Sequence, residues 1–208
     1  MGRAPLTFRR LSGLDRSGPP PPETQAGAPL RPWTIPNAIG YARIGLLIVF
    51  LVLALSSEDG TDALPAVLYA LVAWGDYADG IAARVTRQYS RLGALMDPVI
   101  DRGLVIAGVI VCWKFDLLPR WLLAVMVARE VFMLVAGQYA IRHGVTLRIN
   151  WYGRWGVWPV MSALFSALCG LKTLGTVLLV IGLVLTVMAT VVYARDALDE
   201  LRTRSPSS

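Results

Sequence analysis

The chain has 208 residues, 55% hydrophobic and only 16% charged, with a formal net charge of +6 and a mean hydropathy of +0.55. Soluble domains average about 45–50% apolar and 25% charged residues, so this composition excludes an ordinary soluble globule and equally a disordered chain. Cys112 and Cys169 both lie in apolar runs and His143 is the single histidine, which argues against a disulfide framework, a zinc cluster or a histidine-dependent triad.

In chain order, residues 1–32 come first and differ from the rest. Gly18, Pro19, Pro20, Pro21, Pro22, Gly27, Pro29 and Pro32 cannot sustain a helix or a sheet ladder, so the stretch reads as a disordered cytoplasmic tail. Arg3, Arg9, Arg10, Asp15 and Arg16 interrupt its start, which is not the pattern of a secretory signal. Six apolar runs follow: Ile39–Leu55, Leu64–Ala83, Leu92–Trp113, Trp121–Ile141, Trp151–Leu171 and Leu174–Ala194. A helix needs about 20 residues to cross the hydrocarbon layer, and a bilayer offers such segments little alternative to helix. The expected fold is an all-α integral membrane protein with six transmembrane helices over residues 33–195 and a C-terminal tail over 196–208.

Orientation follows from the basic residues. Arg3, Arg9, Arg10, Arg16, Arg31, Arg84, Arg87, Arg91, Arg142, Arg148, Arg195, Arg202 and Arg204 flank one side of the expected spans, and only Lys114, Arg120 and Lys172 the other. Thirteen against three places both termini in the cytoplasm of a multi-pass cell-membrane protein, and explains the net charge without nucleic acid. Trp33, Trp113, Trp121, Trp151 and Trp155 fall near span ends, as interfacial anchors do.

Nine ionisable residues fall within the spans: Arg43, Asp76, Asp79, Asp97, Asp101, Arg102, Arg129, Glu130 and Arg154. Each costs about 2.5–3.5 kcal/mol at a helix centre on insertion scales, so they point to function. Counted from the helix ends, all lie between the cytoplasmic end and mid-membrane, and they are expected to line one polar chamber open to the cytoplasm. Arg129 and Glu130 can be explained as a structural ion pair. The aspartates cannot, because four carboxylates on consecutive helices repel in a low dielectric unless cations offset them.

Spacing sharpens the expectation. Asp76, Asp79 and Ala83 share one face of the second helix, and Asp97 and Asp101 share one face of the third. Two such faces suit one or two oxygen-loving ions such as Mg²⁺ or Mn²⁺, and a pair of ions can grip a diphosphate. Gly80 and Ala83 would let a flat ligand approach the backbone, and Arg84 can fork onto phosphate. Ser90 is the expected N-cap of the third helix, with Gly93 in its first turn and Pro98 early enough that its missing N–H costs least. His143 reads as a solvated turn residue.

At these residues the sequence resembles the CDP-alcohol phosphotransferase family. The signature D-x2-D-G-x2-A-R-x8-G-x3-D-x3-D is met by Asp76, Asp79, Gly80, Ala83, Arg84, Gly93, Asp97 and Asp101 without departure. The resemblance implies that Asp76, Asp79 and Asp97 hold two metal ions, and that Asp101 is the general base and touches a metal. It implies that Gly80, Ala83, Arg84 and Gly93 surround the nucleotide and its pyrophosphate, and that the protein is a homodimer. The reaction implied is transfer of a phosphatidyl group from CDP-diacylglycerol to an alcohol, with release of CMP.

Thr34-Ile35-Pro36-Asn37 with Arg43, and Ala128-Arg129-Glu130, are similar to the branch making phosphatidylglycerol phosphate or cardiolipin. Glycerol 3-phosphate is the favoured acceptor, with Arg129, Arg154 and Arg148 as its contacts. The segment Gly153-Arg154-Trp155-Gly156-Val157 keeps one base where enzymes using that acceptor carry two, so phosphatidylglycerol stands as the alternative. A membrane prenyltransferase would need a second, separate aspartate cluster. A transporter would need polar groups beyond the chamber, where Leu64–Trp74 and Gly103–Trp113 are mostly apolar.

Overall fold

The structure, a computed structural model, describes residues 28–86, 88–142 and 151–204. Among these residues there are six helices and no strand: α1 (Ile35–Ser56), α2 (Ala63–Thr86), α3 (Arg91–Lys114), α4 (Arg120–Arg142), α5 (Trp151–Leu168) and α6 (Lys172–Arg204). Each helix overlies one of the six apolar runs, so the all-α expectation holds. Two are long and apolar enough to cross a membrane by length and composition, α1 over Ile35–Ser56 and α6 over Lys172–Val192. The other four carry the charged residues or are shorter. The outer faces of α1 and α6 expose Ile48, Val52, Val177 and Val184, side chains that a water-soluble protein buries.

The described chain forms two compact units. The first contains α1, α2 and α3 as far as Gly108; the second contains Asp59–Thr61 and the chain from Val109 onward.

In the first unit, α1 begins where the Thr34 hydroxyl accepts the Asn37 N–H at 3.3 Å, with Pro36 in the first turn, where no donor is needed. Phe50 and Tyr69, both buried, join α1 to α2 edge to face at 5.4 Å between ring centroids. Small residues bring α3 against α1: a Cβ on Gly40 would lie 2.6 Å from Met96 Cε, and one on Gly103 would lie 3.1 Å from Leu47 Cδ2. Ser90 caps α3 as expected, its hydroxyl accepting the Gly93 N–H at 2.9 Å. Pro98 differs from the expectation. It is the eighth residue of α3, past the first turn, and therefore forfeits the bond to the Ala94 carbonyl.

The end of the stretch expected to be tail is tied down. Leu92 N–H donates to the Leu30 carbonyl, and the Tyr41 hydroxyl donates to the Pro32 carbonyl. Residues 1–27, and with them the rest of that expected tail, lie outside the described residues, as do Arg87, His143 and Arg148.

In the second unit, α5 and α6 form a hairpin. Gly170, with φ at +77°, follows the end of α5; its N–H reaches the Ala167 carbonyl while the Leu171 N–H reaches that of Ser166. This paired closure satisfies the last carbonyls of α5 and requires a left-handed residue. Beyond it, α6 packs closely on α5, since a Cβ on Gly175 would lie 2.9 Å from the Ala163 carbonyl oxygen. The helix then continues to Arg204, through most of the expected C-terminal tail.

Gly170→Ala places a Cβ in the left-handed region and is expected to cost about 1–2 kcal/mol of stability. Gly45 on the exposed face of α1 has nothing within 4 Å of a built Cβ, so Gly45→Ala should leave stability unchanged or raised. Thermal unfolding of the two variants in detergent checks the contrast.

Candidate active site

The site is built on the three helices of the first unit. One turn of α2 carries Asp76 and Asp79, and one turn of α3 carries Asp97 and Asp101. Carboxylate oxygens of Asp76, Asp79 and Asp97 lie within 4.8 Å of one another, with Asp79 buried, Asp97 half-buried and Asp76 exposed. Around an octahedral Mg²⁺ at 2.0–2.1 Å, adjacent oxygens are about 2.9 Å apart and opposite ones about 4.2 Å, so these three carboxylates are near enough to close onto one small hard cation by side-chain rotation. Asp101 is not in that group of three.

What holds Asp101 is Arg43, one of the nine charges within the expected spans. Its side chain is 2% exposed. Nε donates to the Val72 carbonyl at 3.0 Å, Nη1 to Asp79 Oδ2 at 2.8 Å and Nη2 to Asp101 Oδ1 at 3.0 Å, while Asp76 Oδ1 lies 3.6 Å from Nη1. The cation that offsets the acids is thus in part the chain's own: one guanidinium is bonded to Asp79 and Asp101, lies 3.6 Å from Asp76, and links α1 to both acidic helices. Its stem passes over Gly75, where a Cβ would sit 2.7 Å from Arg43 Cδ. The signal was present in the sequence. Arg43 is the one charge in an otherwise apolar first run, and such a charge cannot be buried unpaired.

Beside the acids lies a cavity of about 220 Å³ lined by Asp79, Gly80, Ala83, Arg84, Gly93 and Asp97, together with Pro36, Asn37, Gln88, Tyr89, Ser90 and Ala94. The four residues expected around a nucleotide therefore share one cavity with two of the expected metal ligands. Gly80 leaves room for a neighbour's head group, since a Cβ there would come within 3.1 Å of Arg84 Nη2.

One wall of the cavity is organised by Asn37, which is fully buried. Its Nδ2 donates to the Arg31 carbonyl at 2.9 Å and the Pro32 carbonyl at 3.2 Å, and its Oδ1 accepts the Ser90 hydroxyl at 2.8 Å. The Gln88 side chain adds a second tie by accepting the Ile35 N–H at 2.9 Å. The segment before α1 is thus fastened to the loop between α2 and α3.

Arg102, Arg129 and Glu130 are described each within its own unit. Arg102 is exposed. Arg129, in the second unit, pairs with Glu130 and donates to Thr190 Oγ1 at 3.2 Å and the Thr186 carbonyl at 3.5 Å, linking α4 to α6. Of the expected acceptor contacts, Arg129 is accordingly engaged within its own unit, Arg154 is described in its backbone alone, and Arg148 lies outside the described residues.

Residues 33–188 match the family model described as CDP-alcohol phosphatidyltransferase, well over half of the chain. The chain belongs to the CDP-alcohol phosphatidyltransferase family. Members of the family are membrane proteins that generally depend on divalent metals. Over 135 residues the chain is 36% identical to a cardiolipin synthase (CMP-forming) of Streptomyces coelicolor, covering 62% of each protein. Over 148 residues it is 28% identical to the CDP-diacylglycerol–glycerol-3-phosphate 3-phosphatidyltransferase of Bacillus subtilis, covering 65% of this chain and 77% of that one. A human cardiolipin synthase (CMP-forming) is 36% identical over 113 residues, which cover 54% of this chain and 36% of the relative. The match thus spans less than two thirds of the Streptomyces and human proteins. Of the residues that carry the resemblance, Asp76, Asp79, Gly80, Ala83, Arg84, Gly93 and Asp97 lie at the cavity or in the group of three acids, and Asp101 is joined to them through Arg43.

Asn37→Ala strands two carbonyls and the Ser90 hydroxyl. It is expected to cost about 1–3 kcal/mol, read as a lower thermal midpoint. Gly93→Ala should act in the same direction, because its Cβ would lie 2.8 Å from Asn37 Oδ1. A wild-type midpoint in both variants would show that the network does not hold this wall.

Proposed function

We propose that this chain transfers the phosphatidyl group of CDP-diacylglycerol to an alcohol acceptor and releases CMP, using divalent metal ions. The observation that carries this reading is the meeting of Asp76, Asp79 and Asp97 at the edge of the cavity that Gly80, Ala83, Arg84 and Gly93 line. Acids alone would suit many cations. Acids beside a cavity with an arginine and unhindered backbone suit a nucleotide diphosphate.

In this reading Asp76, Asp79 and Asp97 hold two Mg²⁺ or Mn²⁺ ions. Bound there, the ions would offset the charge of the pyrophosphate and make CMP a better leaving group. Arg84 forks onto the phosphates from the cavity wall, while Gly80 and Gly93 let the nucleotide approach the backbone. Asp101 gives one oxygen to Arg43, and its second oxygen takes the proton from the acceptor hydroxyl as that hydroxyl attacks the lipid-linked phosphorus. The phosphorus–oxygen bond to the acceptor forms, the bond to CMP breaks, and no enzyme-bound intermediate is required.

The setting is a six-span protein of the cell membrane with both termini and the site facing the cytoplasm, and the family resemblance adds a homodimer. For the acceptor, the relatives' names divide between phosphatidylglycerol and glycerol 3-phosphate chemistry. The higher identity to proteins named cardiolipin synthase and the single base in Gly153-Arg154-Trp155-Gly156-Val157 favour phosphatidylglycerol. The Bacillus relative supports glycerol 3-phosphate, with Arg129, Arg148 and Arg154 as the expected contacts.

Purified protein is expected to release CMP from CDP-diacylglycerol only when both an acceptor and Mg²⁺ or Mn²⁺ are present. Turnover that persists in excess chelator would refute the metal role. Asp97→Asn should abolish CMP release, and Asp101→Asn should slow it by about 10²–10⁴-fold, the usual worth of a general base. Offering glycerol 3-phosphate and phosphatidylglycerol in parallel, with the lipid product identified by mass spectrometry, decides the acceptor. Transport is tested in the same preparation: vesicles that accumulate tracer cation without forming CMP would overturn the transferase reading.

A further inference from the structure

We propose that Arg43 is a resident counter-cation that shares the aspartates with the divalent ions and limits how tightly those ions are held; this rests on reading the aspartate cluster as a metal site. A guanidinium does not lose its proton in a protein, so the charge is permanent. It is also fixed in place. The side chain is 2% exposed, Nε is tied to the Val72 carbonyl, and the stem fills the slot left by Gly75.

Two of its partners, Asp76 at 3.6 Å and Asp79 at 2.8 Å, belong to the group of three whose oxygens lie within 4.8 Å of one another. Asp79 therefore gives Oδ2 to Arg43 and has one oxygen left for a metal. A cation in that group sits next to a positive charge that cannot leave, and the two repel across shared ligands. Without the metal, Arg43 partly neutralises the acids. With it, the acids have two sources of positive charge. Removing Arg43 raises the free energy of the metal-free state more than that of the metal-loaded state, and by linkage the metal then binds more tightly. A purely structural role predicts the reverse, since loosened carboxylates would bind metal more weakly. Arg43 is a positioning residue in this account, touching the ligands and not the reacting atoms.

The test is Mn²⁺ binding to the purified full-length chain in detergent at neutral pH, read from the electron paramagnetic resonance signal of free Mn²⁺. Arg43→Gln is expected to bind Mn²⁺ about fivefold or more tightly than wild type, because one like charge is gone from the site. Arg43→Lys, which keeps the charge, should stay within about twofold of wild type. Arg43→Gln that is folded yet binds Mn²⁺ no better than wild type overturns the proposal, as does a Lys variant that tightens as much as the Gln variant. Recovery of Arg43→Gln only in the presence of Mn²⁺ supports it. If that variant is not recovered under either condition, Gly75→Ala decides, since its Cβ displaces Arg43 while leaving the composition of the site intact. Tighter Mn²⁺ binding in Gly75→Ala supports the proposal; unchanged or weaker binding overturns it. Asp97→Asn separates this proposal from the reading beneath it. Wild-type protein that takes up no Mn²⁺, or uptake that Asp97→Asn does not weaken, overturns the metal site and this proposal together. Uptake that Asp97→Asn weakens, but that Arg43→Gln leaves unchanged or also weakens, overturns this proposal alone.

Discussion

A single buried guanidinium underlies the arrangement of the first unit. Taking Arg43 out of water costs several kcal/mol unless its donors are matched, and it is matched on three sides by the Val72 carbonyl, Asp79 and Asp101. The same bonds oppose the repulsion that would separate four carboxylates. The buried cation and the buried Asp79 each satisfy the other. Because Arg43 is on α1 and its partners are on α2 and α3, satisfying one charge fixes the placement of three helices. Gly75 is the steric condition for this, since any side chain there would occupy the path of the arginine stem.

A second tie, made of neutral groups, holds the wall of the cavity formed by Asn37 and Ser90. Asn37 satisfies two backbone carbonyls and the Ser90 hydroxyl at once, and Ser90 in turn caps α3 through the Gly93 N–H. The chain entering α1 and the turn entering α3 are thereby held together just where small residues are needed. Gly93 has no room for a side chain against Asn37 and Ser90. Its role in the signature is therefore partly explained without any ligand: it keeps the wall thin. Gly80 does the corresponding service for the Arg84 side chain on α2.

Much of this was legible in the sequence, and what was not has a physical reason. Helices were readable because six apolar runs have membrane-spanning length, and the four aspartates were readable because their i, i+3 and i, i+4 spacings survive in any helix. The cavity-lining Gly80, Ala83, Arg84 and Gly93 came with the signature. Partnerships between distant segments were not readable. Arg43 and Asp101 are 58 residues apart, and Asn37 and Ser90 are 53 apart, so no periodicity connects them. Arg102 departs from the expected chamber for a similar reason: helix depth can be counted from sequence, but the direction a residue faces cannot. Arg102 follows Asp101 by one residue, about 100° around the helix, and is exposed while Asp101 is held by Arg43. Arg129 and Glu130 are explained by adjacency alone, and they form the structural ion pair that adjacency allows.

Charge counting gives Arg43 a further meaning for the proposed reaction. With the four aspartates ionised, as metal ligation requires, the acids and the guanidinium together carry three negative charges, which favours uptake of divalent cations over rejection of them. Two such ions would turn that surplus into a single positive charge. Without Arg43 the loaded site would be neutral, and the pull on an anionic diphosphate would fall to Arg84 and the backbone donors of the cavity. A permanent cation behind the acids thus opposes metal uptake and assists substrate uptake, and these two effects are linked through the same carboxylates. A neutral donor in this position could equally bond Asp79 and Asp101, but the loaded site would then lack the extra positive charge, and attraction for a diphosphate would rest on the cavity's Arg84 and backbone donors.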